Sequence, residues 1–177
     1  MRFNLHSEIH IVSQTKPITY ATNGFWAYDV AVGVFLKYLI DAAQKSTEAH
    51  SAWLSEAVSE WQVQAVVSDF LLSLDSGWST EQEQLFIDLA EEACTALAAR
   101  DSIPADEIVN WQFVDDQYID IRGAKEVFTA PVAELGRALV ALIRGTLPKP
   151  PKGEAWFFGR PEGRSTIPMN PSWDGKW

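Results

Sequence analysis

The segment from Trp26 to Lys45 constrains the fold of this chain most, because it is apolar on almost every side of a helix. Its apolar positions include Val30, Val34, Leu36, Leu39, Ile40 and Ala43. A helix with so little polar surface usually lies at the centre of a core. Gly33 costs about 1 kcal/mol against Ala inside a helix, so we expect it to allow close packing against a neighbouring element.

The cellular compartment is predicted from three features that the sequence lacks, namely a membrane span, a signal peptide and a pair of cysteines. The longest apolar run, Val30–Ile40, is interrupted by Lys37 and is far shorter than the roughly 20 residues that span a bilayer. The opening residues MRFNLHSEIHIV do not have the pattern of a signal peptide. A single cysteine, Cys94, cannot form an internal disulfide, which fits a reducing compartment. We therefore expect a soluble, cytoplasmic protein.

Further helices are predicted from apolar periodicity and from start and stop signals. Ser79 and Gln82 form a capping box, and Gly145 is a suitable residue just past a helix end. The predicted helices beyond the first are residues 50–74, a helix from the capping box to about residue 100, a short helix over 102–111, and residues 129–143.

Strands are predicted toward both ends of the chain, at about 2–13, 117–128 and 154–158. Lys16-Pro17 is expected to end the first of them. Helices in the middle and strands toward the ends favour an α+β fold, with about four main helices packed on a small, mainly antiparallel sheet. The alternative is a mostly α-helical bundle.

The length of 177 residues suits a single globular domain, 1–177, that needs neither a disulfide nor a metal to fold. A Pro- and Gly-rich C-terminal extension begins at about residue 147. It ends in Trp173 and Trp177, which we expect to fold back onto the domain.

The net charge of −10 is unevenly distributed along the chain. Residues 26–134 hold 20 acidic and 5 basic side chains, which gives −15, whereas residues 135–177 hold 7 basic and 3 acidic side chains, which gives +4. Binding to nucleic acid or to an anionic membrane requires basic side chains, so neither is an expected partner. An acidic surface instead steers basic partners.

Two acidic groups are candidates for such a surface. Asp115, Asp116 and Asp120 surround Tyr118 on the predicted strand, and their spacing matches no calcium loop. The competing group lies on the third helix and consists of Glu81, Asp88, Glu91 and Glu92. We favour the first group, because a strand and its loop hold neighbouring charges in a fixed array.

Other chemistry has less support in the sequence. His6, Glu8 and His10 alternate, so on a strand they would share one face and could ligate a metal, with Asp115 as a possible further ligand. A solvated strand face explains the same alternation. Cys94 follows Glu91 and Glu92 in mid-helix, where nothing lowers its pKa, so we interpret it as a packing residue. No motif of nucleophilic catalysis or phosphate binding is present, and no cofactor is predicted.

These observations favour an acidic, non-catalytic protein-binding module. The specific hypothesis is an immunity protein that neutralises a basic toxin, for example a nuclease, by placing carboxylates where phosphates would bind. One alternative is a metal-binding enzyme that uses His6, Glu8 and His10, and another is a self-assembling scaffold subunit. The partner expected is a basic protein, and the chain itself is expected to be a monomer or a homodimer.

Overall fold

The computed structural model describes residues 15–67, 72–74 and 77–177. In this part of the chain, helices and strands form an α+β fold, as predicted. The helices are α1 (Asp29–Lys45), α2 (Ala52–Val66), α3 (Thr80–Ala98), α4 (Ala105–Ile108) and α5 (Thr129–Ile143). The strands are β1 (Thr15–Tyr20), β2 (Asn23–Tyr28), β3 (Leu72–Leu74), β4 (Ser102–Pro104), β5 (Glu126–Phe128), β6 (Glu154–Phe158) and β7 (Ser165–Pro168).

Helix α1 lies at the centre of the core, as its sequence predicts. It packs against α2, α3 and α5, and it buries residues on all sides over its first two turns. It begins at Asp29 and not at Trp26, because Trp26 belongs to the preceding strand β2.

Gly33 of α1 lies directly against the backbone of α2. A Cβ at Gly33 would lie 2.6 Å from the carbonyl oxygen of Ala65 and 3.1 Å from Ile119. The expectation of close packing at this glycine is therefore confirmed.

Replacing Gly33 by Ala is expected to lower the free energy of unfolding by about 1–3 kcal/mol. Alanine favours helix formation by about 1 kcal/mol, but the added methyl group collides with a backbone oxygen that cannot rotate away. Urea unfolding of the variant checks this value. Unchanged or increased stability would show that α1 and α2 separate easily at this position.

The main sheet has the strand order β3-β1-β2-β6-β7. Pairs β1–β2 and β6–β7 are antiparallel, and pairs β1–β3 and β2–β6 are parallel. Strands β4 and β5 form a separate antiparallel pair. One face of the main sheet packs on the helices, where the rings of Phe25 and Phe158 meet edge to face at 4.9 Å.

Several predicted boundaries are wrong. Lys16 and Pro17 lie inside β1; proline is tolerated there because the described pairing with β3 begins only at Ile18. The helix predicted over 50–74 ends at Val66, and Leu72–Leu74 form β3. The start of the helix predicted over 102–111 is strand β4, and α4 ends at Ile108.

The strand predicted over 117–128 is also wrong except for β5. Ile119 and Ile121 are buried and Tyr118 and Asp120 are exposed, so the alternation is real. Residues 117–121 nevertheless pair with no strand in the described part of the chain. Their two buried isoleucines belong to the hydrophobic core, and Ile119 lies against Gly33 of α1. The strand predicted over 2–13 lies outside the described residues.

The capping box of α3, the helix α5 and the strand β6 are confirmed. The end of the chain folds back as expected. The backbone N–H of Trp177 donates to the carbonyl of Thr22 at 3.3 Å, and its ring lies 5.5 Å from that of Trp26. The C-terminal extension therefore covers the tip of the β1–β2 hairpin.

Candidate functional site

The residues 114–122, here called the acidic loop, carry the first predicted site. A single 3₁₀ turn, Val114–Asp116, opens the loop, and the N–H of Gln117 donates to the carbonyl of Val114 at 3.1 Å. Asp115, Asp116, Tyr118 and Asp120 are all exposed, with Tyr118 at 59%. The structure therefore presents the four predicted side chains on one short segment.

The backbone of the acidic loop is left-handed at both ends. Asp115 and Asp116 have φ values of 55° and 57°, and Arg122 has a φ of 52°. For a residue other than glycine this conformation costs roughly 1–2 kcal/mol. Aspartate tolerates it better than most residues do. Such strain persists only where surrounding contacts enforce it, and it is concentrated at functional sites.

Two buried isoleucines supply part of those contacts. Ile119 and Ile121 are 4% and 7% exposed, and Ile119 lies against Gly33 of α1. Their burial holds the middle of the loop on the helical core while the aspartates between and before them remain in solvent.

An ion pair fixes the end of the loop. The guanidinium of Arg122 binds both carboxylate oxygens of Asp29, with 2.9 Å between Nη1 and Oδ1. The Asp29 side chain is only 7% exposed, and it also accepts the backbone N–H of Val30 at 2.8 Å. These hydrogen bonds to Asp29 raise the pKa of Arg122. The acidic loop is therefore tied directly to the start of α1.

The basic residue of the loop itself is already engaged. Arg122 pairs with Asp29, and Arg100 pairs with Glu107 on α4. Within the described ranges, no ion pair joins a basic side chain to Asp115, Asp116 or Asp120. Among the described residues, Asp120 accepts a local backbone hydrogen bond, from the N–H of Arg122 at 2.8 Å. The charge of these carboxylates is directed to solvent.

The second predicted group lies on α3, and two of its four acidic side chains have side-chain partners. Glu91 forms an ion pair with Arg144 of α5 at 3.0 Å, and Asp88 accepts a hydrogen bond from Gln84 at 2.7 Å. Hydrogen bonds at the start of α3 lower the pKa of Glu81. Glu92 is exposed. No hydrogen bond or ion pair between described residues connects this face to the acidic loop.

The proposed metal ligands His6, Glu8 and His10 lie outside the described residues. In the part of the chain that the structure covers, no three His, Cys, Asp or Glu side chains are grouped so that they could hold a metal ion. Cys94 is buried, its Sγ lies 3.5 Å from the carbonyl oxygen of Ala133, and burial raises the pKa of its thiol. Cys94 is thus a packing residue, as its position predicts.

One unusual charged group was missed from the sequence. Lys16 is 1% exposed, and its ammonium donates to the carbonyl oxygens of Gln64 and Val67 at 2.6 and 2.9 Å. It therefore caps the C-terminal end of α2. Burial lowers the pKa of Lys16 to about 8. Its alternation with the buried Ile18 on β1 was the available signal.

The lowered pKa of Lys16 predicts that the free energy of unfolding depends on pH. The pKa is about 8 in the folded protein and 10.5 when unperturbed, so between these values the unfolded chain binds more protons. Stability then rises with pH across that window. Across the whole window the free energy of unfolding should rise by about 3 kcal/mol, because each pKa unit corresponds to about 1.4 kcal/mol.

Urea unfolding of the wild type and of Lys16→Met between pH 7.5 and 9.5 isolates this contribution. Cys94 acts in the opposite direction because its pKa is raised, but it is present in both proteins. The free energy of unfolding of the wild type should rise relative to that of the variant. Parallel pH profiles would show that Lys16 titrates at its ordinary pKa.

In comparisons with known proteins, no family model matches the chain, and no curated protein or solved structure matches it either.

Proposed function

We propose that this chain is an acidic, non-catalytic protein-binding module whose acidic loop docks a basic protein. The observation that carries the proposal is the acidic loop itself. It exposes three carboxylates and Tyr118, and the carboxylates have no ion pair within the described part of the chain. The backbone of the loop is held by the buried Ile119 and Ile121 and by the Arg122–Asp29 pair.

The chemistry of the loop suits a partner that recognises phosphates. Carboxylates held in fixed positions can form ion pairs with the arginines and lysines of a nuclease cleft, which would otherwise bind the phosphates of the nucleic acid. A segment that is already ordered loses little conformational entropy on binding. Tyr118 offers a rigid aromatic anchor among the charges, of the kind that dominates binding energy at interfaces. The specific proposal is an immunity protein that neutralises a basic toxin by covering its active site.

The site of action follows from this role. A nuclease toxin must be neutralised where its nucleic-acid target lies, so we propose that the protein acts in the cytoplasm. Among the helices that the structure describes, none is long and apolar enough to cross a membrane.

Affinity capture from the source cell, combined with an activity assay, tests the proposal. The wild-type protein is expected to retain a basic protein in a 1:1 complex at low salt. The captured protein, or the product of the neighbouring gene, should cleave nucleic acid alone and lose that activity when one equivalent of this chain is added. Recovery of only acidic or neutral partners, or full nuclease activity in the complex, would contradict the proposal.

A further inference from the structure

A second surface, opposite in charge to the acidic loop, forms around the C-terminal extension. Here the segment 147–153, the strand β6, the tip of the β1–β2 hairpin and the tail 173–177 enclose a groove of about 650 Å³. That volume is within the range of roughly 300–1,000 Å³ that is typical of ligand sites. We call it the tryptophan groove, because Trp156, Trp173 and Trp177 line it.

The three tryptophans are held in place by contacts within the chain. The indole N–H of Trp156 donates to the carbonyl of Pro148, and that of Trp173 donates to the carbonyl of Lys176, both at 2.7 Å. The rings of Trp173 and Trp177 are 6.0 Å apart, and Trp177 rests on Trp26. The guanidinium of Arg164 lies over the ring of Trp156 at 5.1 Å, and two of the indole N–H groups are already used, so the groove offers a ligand mainly the ring faces of Trp173 and Trp177.

The chain itself contains one contact between a tryptophan of the groove and a proline-rich segment. Pro148, in a stretch that also contains Pro150 and Pro151, has its carbonyl oxygen bound by Trp156. Proline-rich chains adopt an extended helix with no internal hydrogen bonds, so their carbonyls remain available and their rings pack on aromatic side chains. One hydrogen bond from an indole N–H to the carbonyl of a proline-rich segment is thus already built into the wall of the groove.

The charge at the rim selects among such ligands. Lys149 and Lys152 are exposed along one wall, and Asp174 is the one acidic residue among the described residues that line the groove. A peptide with basic flanks would be repelled, whereas glutamates or aspartates beside the prolines would face the lysines. We propose that the tryptophan groove binds a proline-rich, extended peptide with acidic flanking residues, independently of the acidic loop.

A fluorescence titration with a synthetic peptide tests this proposal. The probe carries two Pro-x-x-Pro repeats flanked by glutamates, and it should quench or shift the tryptophan emission of the full chain in a saturable way. A peptide with alanines in place of the prolines and a peptide with arginine flanks should bind at least about tenfold more weakly. A neutral oligosaccharide of glucose is titrated in parallel.

Two variants locate the binding. Trp173→Ala, at the partly exposed tail, should weaken peptide binding about tenfold or more. Lys149→Glu combined with Lys152→Glu should weaken it as well, whereas the matched control, Lys45→Glu combined with Lys125→Glu, should not. Circular dichroism checks that each variant is folded. Absence of saturable binding, equal binding of the alanine peptide, equal loss in the control, or binding of the oligosaccharide instead would overturn the proposal.

Discussion

Replacing Asp115, Asp116 and Asp120 by Asn is expected to slow association with the basic partner by about 10- to 1,000-fold at low salt. These carboxylates have no ion pair in the described part of the chain, so their field acts on an approaching partner. Asparagine accepts the left-handed backbone that the structure shows at Asp115 and Asp116. The free energy of unfolding should therefore change little.

Stopped-flow measurement of the association rate constant checks this prediction. The rate for the wild type should fall steeply with salt, because at 0.15 M the screening length is only about 8 Å, and the rate for the triple variant should depend less on salt. The matched control, Glu81→Gln with Asp88→Asn and Glu92→Gln, removes the same charge from α3. An equal loss of rate in both triple variants would mean that net charge, and not the acidic loop, drives association.

Replacing Arg122 by Ala is expected to lower the free energy of unfolding by about 3–5 kcal/mol, the usual cost of leaving one partner of a buried ion pair alone. Asp29, whose side chain is 7% exposed, would lose the guanidinium that binds both of its carboxylate oxygens. Arg122 itself is 26% exposed, so the lower end of that range is expected. The same change releases the end of the acidic loop from α1.

A double-mutant cycle separates the ion pair from other effects of the substitution. Asp29→Ala removes the buried charge, and the double variant should be more stable than the sum of the two single losses implies. Urea unfolding of all four proteins gives the coupling energy. A cost below about 1 kcal/mol for Arg122→Ala, comparable to that of a surface pair, would show that the loop is not anchored there.

The fold could be predicted where local signals decide the structure. The capping box at Ser79, the apolar periodicity of α1 and the apolar stripe of α5 depend on neighbouring residues only, and all three helices are present. The alternation at 118–121 showed correctly which side chains are buried. It could not show that Ile119 packs on a helix and not within a sheet, because alternation carries no information about a hydrogen-bonding partner.

The exposed residues of the site could be predicted from the sequence, but the contacts that hold the acidic loop in place could not. The exposed aspartates and Tyr118 follow from the charge pattern. The pairing of Arg122 with Asp29 joins residues 93 positions apart, and neither has a local signature of its partner. The same holds for Lys16, whose acceptors lie about 50 positions away at the end of α2. Contacts of this range form only once the chain is folded.

Hydrogen exchange of the complex between this chain and its captured basic partner tests the central claim most directly. Exchange is measured by mass spectrometry on the free chain and on the complex. If the acidic loop is the docking surface, peptides that cover residues 114–122 should become strongly protected on binding, while the exposed face of α3 around Glu92 exchanges as in the free chain. Protection confined to α3, with residues 114–122 unchanged, would contradict the assignment of the acidic loop as the binding site.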